Sequence, residues 1–236
     1  MAVIIETSAV PNLVPLILHF ASVLGPSWTV VLYTMEETWK MEGRTMAAPS
    51  FRRAIEAGRV ETRYLPKETS LDSVENVSKF LTKPWIWEQL QSAQRVLFFQ
   101  PDSIICSESS VTVEDFSSYD FIGAPIDPFY GTGFNGGLSL RNPKLFLEIT
   151  QESDFENSKT AFEDQWFYQE LRAREGRSNS TVVLPSPEVA QLFAVESMYY
   201  KQPLGYHQPS RWQADKMGSI EAWCPEVKMT MGRRLL

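Results

Sequence analysis

The prediction of the fold begins at residues 95–106, which read RVLFFQPDSIIC. Four apolar residues in a row, bounded by polar ones, predict a short strand that is buried on both faces. Because proline cannot donate a hydrogen bond to a sheet, Pro101 ends this strand at Gln100. Asp102 and Ser103 then follow its carboxyl end, which is the edge where open α/β sheets bind ligands. A carboxylate there is a candidate ligand for Mg²⁺ or Mn²⁺, although Pro-Asp-Ser is also ordinary turn chemistry.

The composition is that of a soluble globular protein. The chain has 236 residues, 43% of them apolar and 22% charged, which suits one α/β domain over residues 1–236. The formal net charge of −7 disfavours nucleic acid as a partner, because binding to phosphates needs basic patches. No apolar run reaches the ~20 residues that a membrane span needs.

The cysteines and the N-terminus bear on the compartment. Cys106 and Cys224 are too few for a disulfide framework, and we expect a reduced pair in a reducing compartment. The N-terminus lacks the basic region and long apolar run of a signal peptide. As the chain stands this indicates the cytoplasm. A secretory or Golgi location follows if an N-terminal anchor precedes it in a longer natural chain.

The order of predicted elements indicates a mostly parallel central sheet flanked by helices. A strand at 2–5, a helix at 13–24 and a strand at 28–33 form a β-α-β unit. Residues 36–49 are predicted to be a mobile loop, and either this loop or the C-terminal segment could close over a ligand and exclude water. Further helices are predicted at 51–57, 80–91, 143–150 and 160–175, and further strands at 60–65, 119–122, 138–140 and 181–184. The core is expected at about 3–184, with an irregular segment at 185–236 that completes the site.

A glycine-rich loop is predicted over residues 127–137. Residues 131–136 read GTGFNG, the literal pattern of a dinucleotide-binding fingerprint. That fingerprint needs a strand before it and a helix after it, whereas these glycines precede a strand, so we reject this interpretation. The glycines either let the backbone approach a ligand closely or form a turn or bulge between strands.

Two acidic residues begin a predicted helix. Thr160 and Glu163 have the spacing of a capping box, which makes Glu163 a structural residue. Asp164 is not needed for that box. It is either a general base that faces a cleft or a carboxylate stabilised by the helix dipole.

A late histidine lies among rigid residues. Residues 203–212 read PLGYHQPSRW, and an imidazole at His207 could ligate a metal or donate a hydrogen bond to a phosphate. Lys201 and Arg211 flank it and form a local positive group. The alternative is a C-terminal tail that packs on the core.

Five short runs, taken together, resemble an uncharacterised glycosyltransferase-like family known mainly as a domain of unknown function. They are FQPDS at 99–103, YDFIGAP at 119–125, NGGLSLR at 135–141, EDQWF at 163–167 and PLGYH at 203–207. The resemblance spans roughly residues 3–212. The family is similar to nucleotide-sugar glycosyltransferases of the GT-A type, which implies a Rossmann-like GT-A fold.

The resemblance implies a metal site at the end of the 96–100 strand. In GT-A enzymes the last Asp of an Asp-x-Asp motif binds a divalent cation, Mn²⁺ or Mg²⁺, on the nucleotide diphosphate. Asp102 matches that Asp, whereas Gln100 replaces the first one and leaves metal dependence open. His207 resembles the late histidine that completes this site.

The resemblance also implies roles for other residues. Asp164, or Glu163, resembles the carboxylate that deprotonates the acceptor. Glu6 and Thr7 match the end of the first strand, where the nucleoside binds. The residues expected at the donor are Glu6, Thr7, Gln100, Ser103, Asn135, Gly136, Gly137, Arg141, Lys201 and Arg211.

The implied activity is hexosyl transfer from a nucleotide-diphosphate sugar, with a UDP-sugar as the expected donor and an unknown hydroxyl as acceptor. Gln100 in place of an acid also suits a second hypothesis, a non-catalytic nucleotide-sugar-binding module on the same fold. A third hypothesis is a hydrolase or phosphotransferase that uses Asp102 as a metal ligand or nucleophile.

Overall fold

The computed structural model describes residues 1–8, 10–37 and 48–230. The loop predicted at 36–49 lies mostly outside these residues. Within them, no helix combines the length and the apolar character needed to cross a membrane. The described residues contain the α-helices α1 (Leu13–Leu24), α2 (Pro49–Glu56), α3 (Val74–Leu81), α4 (Pro84–Leu90), α5 (Pro143–Glu152), α6 (Glu163–Glu175), α7 (Pro187–Phe193), α8 (Pro209–Trp212) and α9 (Met217–Trp223).

Six strands form the central sheet, in the order β3-β2-β1-β4-β7-β6. Strands β1 to β4 pair in parallel, and β7 runs antiparallel to both β4 and β6. The predicted mostly parallel sheet flanked by helices is therefore confirmed. Its strands are β1 (Ala2–Ile5), β2 (Val30–Thr34), β3 (Val60–Tyr64), β4 (Val96–Phe99), β6 (Phe121–Pro125) and β7 (Phe134–Arg141).

A second sheet of three strands pairs the late part of the chain with β5, the strand that follows β4 in the sequence. It consists of β5 (Ser103–Ile105), β8 (Ala194–Val195) and β9 (Gly205–His207), in the order β5-β9-β8. β9 pairs antiparallel with β5, so that His207 lies opposite Ser103. This pairing brings residues a hundred positions apart to the same edge of the fold.

The core is centred on aromatic side chains that surround a buried guanidinium. Trp87 and Phe146 pack at 4.8 Å between ring centroids, and Phe146 stacks on Phe167 at 4.2 Å. Arg141 is 1% exposed, and its guanidinium carbon lies 5.0 Å from the ring centre of Phe98. A cation among aromatic faces is stabilised by their quadrupoles, which partly offsets the cost of its burial.

Several sequence-based predictions are wrong. The predicted irregular segment at 185–236 is regular over its described part, because 187–229 contain α7 to α9, two strands and short 3-10 turns. Residues 181–184 form no strand, since Val183 instead exchanges hydrogen bonds with the backbone N–H and the carboxylate of Asp120. β7 begins at Phe134, so Asn135 to Gly137 lie in a strand rather than in the predicted loop.

The cysteine prediction is also wrong. Cys106 and Cys224 form a disulfide, with their Cα atoms 5.0 Å apart. Cys106 follows β5 and Cys224 follows α9, so the bond fastens the late helices to the second sheet. The pairing depends on tertiary structure, and a sequence separation of 118 gives no local signal for it.

Candidate functional site

A cleft lies where β1 and β4 end. Parallel strands place their carboxyl ends at one edge of the sheet, and ligands bind there in open α/β folds. Glu6 and Thr7 follow β1, and Gln100 to Asp102 follow β4, and all of them line the cleft. Its volume is about 220 Å³, which is below the roughly 300–1,000 Å³ typical of small-molecule pockets. The described residues thus form a cleft that is smaller than a typical small-molecule pocket.

The structure brings His207 to Gln100 and Asp102 at the border of this cleft. Its Nε2 lies 3.0 Å from Gln100 Oε1 and 3.4 Å from Asp102 Oδ1. The antiparallel β5–β9 pairing produces this contact, because it sets His207 opposite Ser103. The predicted convergence of Asp102 and His207 is therefore observed in the geometry.

Two carboxylates determine the charge of His207. Burial alone would lower the pKa of the imidazole, but hydrogen bonds to Asp102 and Glu196 raise the pKa to about 9. Burial would likewise raise the pKa of Asp102, yet His207 and Gln208 lower it to about 2. At neutral pH this arrangement is an imidazolium held between two carboxylates.

Glu196 and Gln208 belong to this cluster and were missed in the sequence. Glu196 Oε1 accepts hydrogen bonds from His207 Nδ1 at 3.1 Å and from Asn135 Nδ2 at 2.9 Å. Gln208 Nε2 donates to Asp102 Oδ2 at 2.9 Å. Glu196 follows the apolar β8, as Asp102 follows β4, so the same signal of a carboxylate after a short apolar run could have found it. Gln208 has no comparable signal.

Gly136 and Gly137 allow the β7 backbone to lie directly against the charged side chains. A Cβ at Gly137 would lie 2.3 Å from His207 Nε2, and one at Gly136 would lie 2.4 Å from Arg141 Nη2. The carbonyl of Gly137 accepts hydrogen bonds from Gln100 N and Ser103 Oγ. These glycines are required by close packing around His207 and Arg141 rather than by a turn.

Arg141 and Glu163 form a buried pair at the cleft. Glu163 Oε1 lies 3.3 Å from Arg141 Nη2, and both residues line the cleft. The predicted capping box is wrong, because Phe162 is the N-cap of α6 and Thr160 donates to Gln169. Arg141 Nη1 is buried and has no hydrogen-bond partner, so the guanidinium keeps a free donor.

Asp164 is turned toward the backbone. Its oxygens accept hydrogen bonds from Gly136 N at 2.8 Å and from Gln165 N at 2.7 Å. Burial and the adjacent Glu163 carboxylate raise the pKa of Asp164 to about 7, against the effect of these N–H groups and of Arg141. Asp164 does not line the cleft, so the structure gives Glu163 better access to a ligand.

The structure separates the predicted site residues by their relation to the cleft. Those that line the cleft are Glu6, Thr7, Gln100, Asp102, Gly136, Arg141 and Glu163. Those that form hydrogen bonds with lining residues are Ser103, Gly137, Asp164 and His207. Asn135 is bonded to Gly137 and Glu196, which do not line the cleft. Lys201 and Arg211 are exposed and are not among the lining residues.

The donor atoms at the cleft fit a divalent cation in their chemistry. The imidazole nitrogen of His207 lies 3.0 Å from the amide oxygen of Gln100 and 3.4 Å from a carboxylate oxygen of Asp102. Oxygen donors suit Mg²⁺ and Mn²⁺, and an imidazole is a common additional ligand once its nitrogen is deprotonated. Within residues 1–8, 10–37 and 48–230, no three His, Cys, Asp or Glu side chains form a metal-binding group. The amide of Gln100 would therefore have to serve as the third ligand.

The fold and site define an α/β protein with a ligand cleft at the carboxyl edge of its parallel strands. The chain belongs to the family described as Protein of unknown function (DUF5672), whose model matches residues 59–207. No curated protein has significant similarity to the chain.

Among solved structures, the chain is similar to the glycosyltransferase GlyE of Streptococcus pneumoniae TIGR4, with 16% identity and a TM-score of 0.44. That match covers 72% of this chain and 42% of GlyE, so the chain spans less than half of that protein. A glycosyltransferase involved in glycosylation of the major capsid of PBCV-1 matches with 13% identity and a TM-score of 0.40, over 94% of this chain and 100% of that one.

Proposed function

We propose that the protein is a glycosyltransferase that moves a sugar from a nucleotide-diphosphate donor to an acceptor hydroxyl. The observation that carries the proposal is the meeting of Gln100, Asp102 and His207 beside a cleft formed at the ends of β1 and β4. The motif runs that resemble GT-A enzymes contribute these same residues. The donor class expected from that resemblance is a UDP-sugar.

The charge of the cleft bears on how an anionic donor would bind. Among the described lining residues, the charged side chains are Glu6, Asp102 and Glu163 against Arg141. Three carboxylates and one guanidinium repel a diphosphate, so added positive charge is needed for binding. A divalent cation held by Asp102, His207 and Gln100 would supply that charge to the leaving diphosphate. Arg141 contributes the positive charge of a guanidinium that lines the cleft, which favours an anionic ligand.

In the transfer step, the acceptor oxygen forms a bond to the anomeric carbon of the donor sugar. The bond from that carbon to the diphosphate oxygen breaks, and its electron pair leaves with the nucleoside diphosphate. The acceptor proton passes to a carboxylate, and Glu163 is the better candidate because it lines the cleft. Asp164 then acts as a positioning residue that holds Gly136.

The first test is a thermal-shift panel of nucleoside diphosphates and nucleotide sugars, each with Mn²⁺ or Mg²⁺. A donor present at about a hundred times its Kd raises the free energy of unfolding by about 2.7 kcal/mol, which is a readily measured shift. Release of nucleoside diphosphate from the donor that binds is then followed with added saccharide acceptors. If no member of the panel shifts the Tm, the donor-binding proposal fails.

A matched pair of variants tests the role of the base. Glu163→Gln should bind the donor and lose transfer, because the amide cannot accept the acceptor proton. Glu175→Gln is the control, since Glu175 lies at the other end of α6 and pairs with Arg172. Donor binding without turnover in the wild type would instead favour the non-catalytic binding module, which Gln100 in place of an acid also suits.

A further inference from the structure

An exposed group of aromatic rings lies outside the cleft. Phe129 and Tyr130 are 86% and 54% exposed. Their ring centroids are 5.1 Å apart, and Tyr130 lies 4.9 Å from Trp212 in an edge-on arrangement. We call Phe129, Tyr130 and Trp212 the aromatic platform. Exposing this much aromatic surface is unfavourable in water, so a ligand that covers it would gain binding energy.

The platform is built on an anchored loop. The loop from β6 to β7 is closed by a hydrogen bond from Ile126 N to Gly133 O at 3.0 Å. Asp127 N donates to Ser197 Oγ at 3.0 Å, and the backbone of Gly133 packs directly on the side chain of Tyr168 in α6. The two exposed rings therefore have a supported backbone, which lowers the entropy lost when a ligand binds.

Hydrogen bonds connect the platform to the proposed donor site. Arg211 lies 4.8 Å over the ring of Trp212, and its Nη1 donates to Gln208 Oε1 at 3.1 Å. Gln208 in turn donates to Asp102 at 2.9 Å. Arg211, which lies over the Trp212 ring, is thus two hydrogen bonds away from the carboxylate that is proposed to hold the diphosphate end of the donor.

We propose that the aromatic platform binds a pyranose ring of the acceptor saccharide. This inference rests on the proposed function and names the acceptor class for the same site. The C–H groups on one face of a pyranose carry partial positive charge and pack well on the negative face of an aromatic ring. Its hydroxyl groups stay free to accept hydrogen bonds from Arg211. An acceptor sugar must lie beside the donor for transfer, and the chain of contacts from Trp212 through Arg211 and Gln208 to Asp102 is the observation that links the platform to that site.

The size of the platform favours a saccharide over a protein partner. An aromatic side chain can bury about 150–250 Å² when fully covered, and these rings are already partly packed. The area that remains falls below the roughly 800 Å² per partner of a stable protein interface. It is comparable to the face of one or two sugar rings.

The test is saturation-transfer NMR on the full chain with methyl glycosides of glucose, galactose, mannose and N-acetylglucosamine, and with their β-linked disaccharides. We expect transfer to the C–H protons on one face of at least one of these probes. Tyr130→Ala and Phe129→Ala should each weaken its binding about tenfold, equivalent to about 1.4 kcal/mol. The control is Tyr64→Ala, which removes another exposed ring, 45% accessible, from β3, and should leave binding unchanged.

The outcomes separate this inference from the proposed function. If no probe receives saturation from the protein, the platform is overturned as a saccharide site. Equal saccharide binding by the platform variants and the wild type overturns it as well. If nucleotide sugars still stabilise the protein in that case, the proposed function stands. Saccharide binding that depends on Tyr130, with no binding of any nucleotide sugar, would support the platform and overturn the transferase. A dimer in solution that Phe129→Ala dissociates would mean that the platform joins two copies, and would overturn the inference.

Discussion

Replacing Gly137 by alanine should disrupt the cluster around His207. A Cβ built on Gly137 lies 2.3 Å from His207 Nε2 and 2.5 Å from both neighbouring ring carbons, whereas ordinary contact begins at 3.4 Å. The imidazole cannot move away without cost, because Nδ1 is bonded to Glu196 and the ring is 4% exposed. The methyl group must therefore displace either the imidazole or strand β7.

The expected cost follows from these contacts. Inserting a methyl group into a packed interior costs about 1–3 kcal/mol, and losing one hydrogen bond to a charged group costs about 1.5–3 kcal/mol. If the His207 imidazole moves and loses one of its hydrogen bonds, we expect the free energy of unfolding to fall by about 3 kcal/mol. For a protein of this size that corresponds to a fall in Tm of about 6–12 °C.

The assay is urea denaturation together with thermal-shift titration of the donor that the panel identifies. Gly137→Ala should lose both stability and donor affinity, since His207 would leave Gln100 and Asp102. Gly218→Ala is the matched control, because a Cβ there meets nothing within 4 Å and Gly218 lies in the first turn of α9, so the substitution should not lower stability. Wild-type stability and donor affinity in Gly137→Ala would refute the packing argument.

Two further predictions concern stability. The double variant Cys106→Ser/Cys224→Ser should lose about 5 kcal/mol on a chain-entropy estimate for the sequence separation of 118, and a urea midpoint equal to that of the oxidised wild type would contradict it. Burial and the Glu163 carboxylate raise the pKa of Asp164 from 3.8 to about 7. The protonated Asp164 therefore contributes fully to stability below pH 3.8, and this contribution is lost as the pH rises to about 7. The stability of the wild type relative to Asp164→Asn should therefore fall across this range in urea titrations, and a pH-independent difference would count against the assigned environment.

The parallel half of the sheet could be predicted because each strand is a short apolar run with polar ends. β1, β2 and β4 follow this pattern, and burial of both their faces explains it. β7 was placed too late in the chain because Asn-Gly-Gly has low strand propensity. Its pairing with β4 and β6 overrides that propensity.

Asp102 and His207 could be predicted from the sequence, whereas the residues and strands that connect them in the structure could not. Asp102 and His207 were identified because each follows a recognisable local pattern. Local spacing alone indicates a cap for Glu163, whereas the family resemblance also makes it a candidate base; its pairing with Arg141, 22 residues away, has no local signal. β8 and β9 have two and three residues, so their existence depends on tertiary pairing with β5 and cannot be read from periodicity.

The central claim is that the acidic side chain of Asp102 helps to hold the diphosphate of a nucleotide-sugar donor. The most direct measurement is calorimetric titration of UDP with Mn²⁺ into the wild type, Asp102→Asn and Asp215→Asn. Asp215 is an exposed carboxylate that pairs with its neighbour Lys216, so it is the charge-matched control. We predict that UDP with Mn²⁺ binds the wild type and Asp215→Asn alike, and that Asp102→Asn loses this binding. Equal affinity in all three proteins would contradict the account.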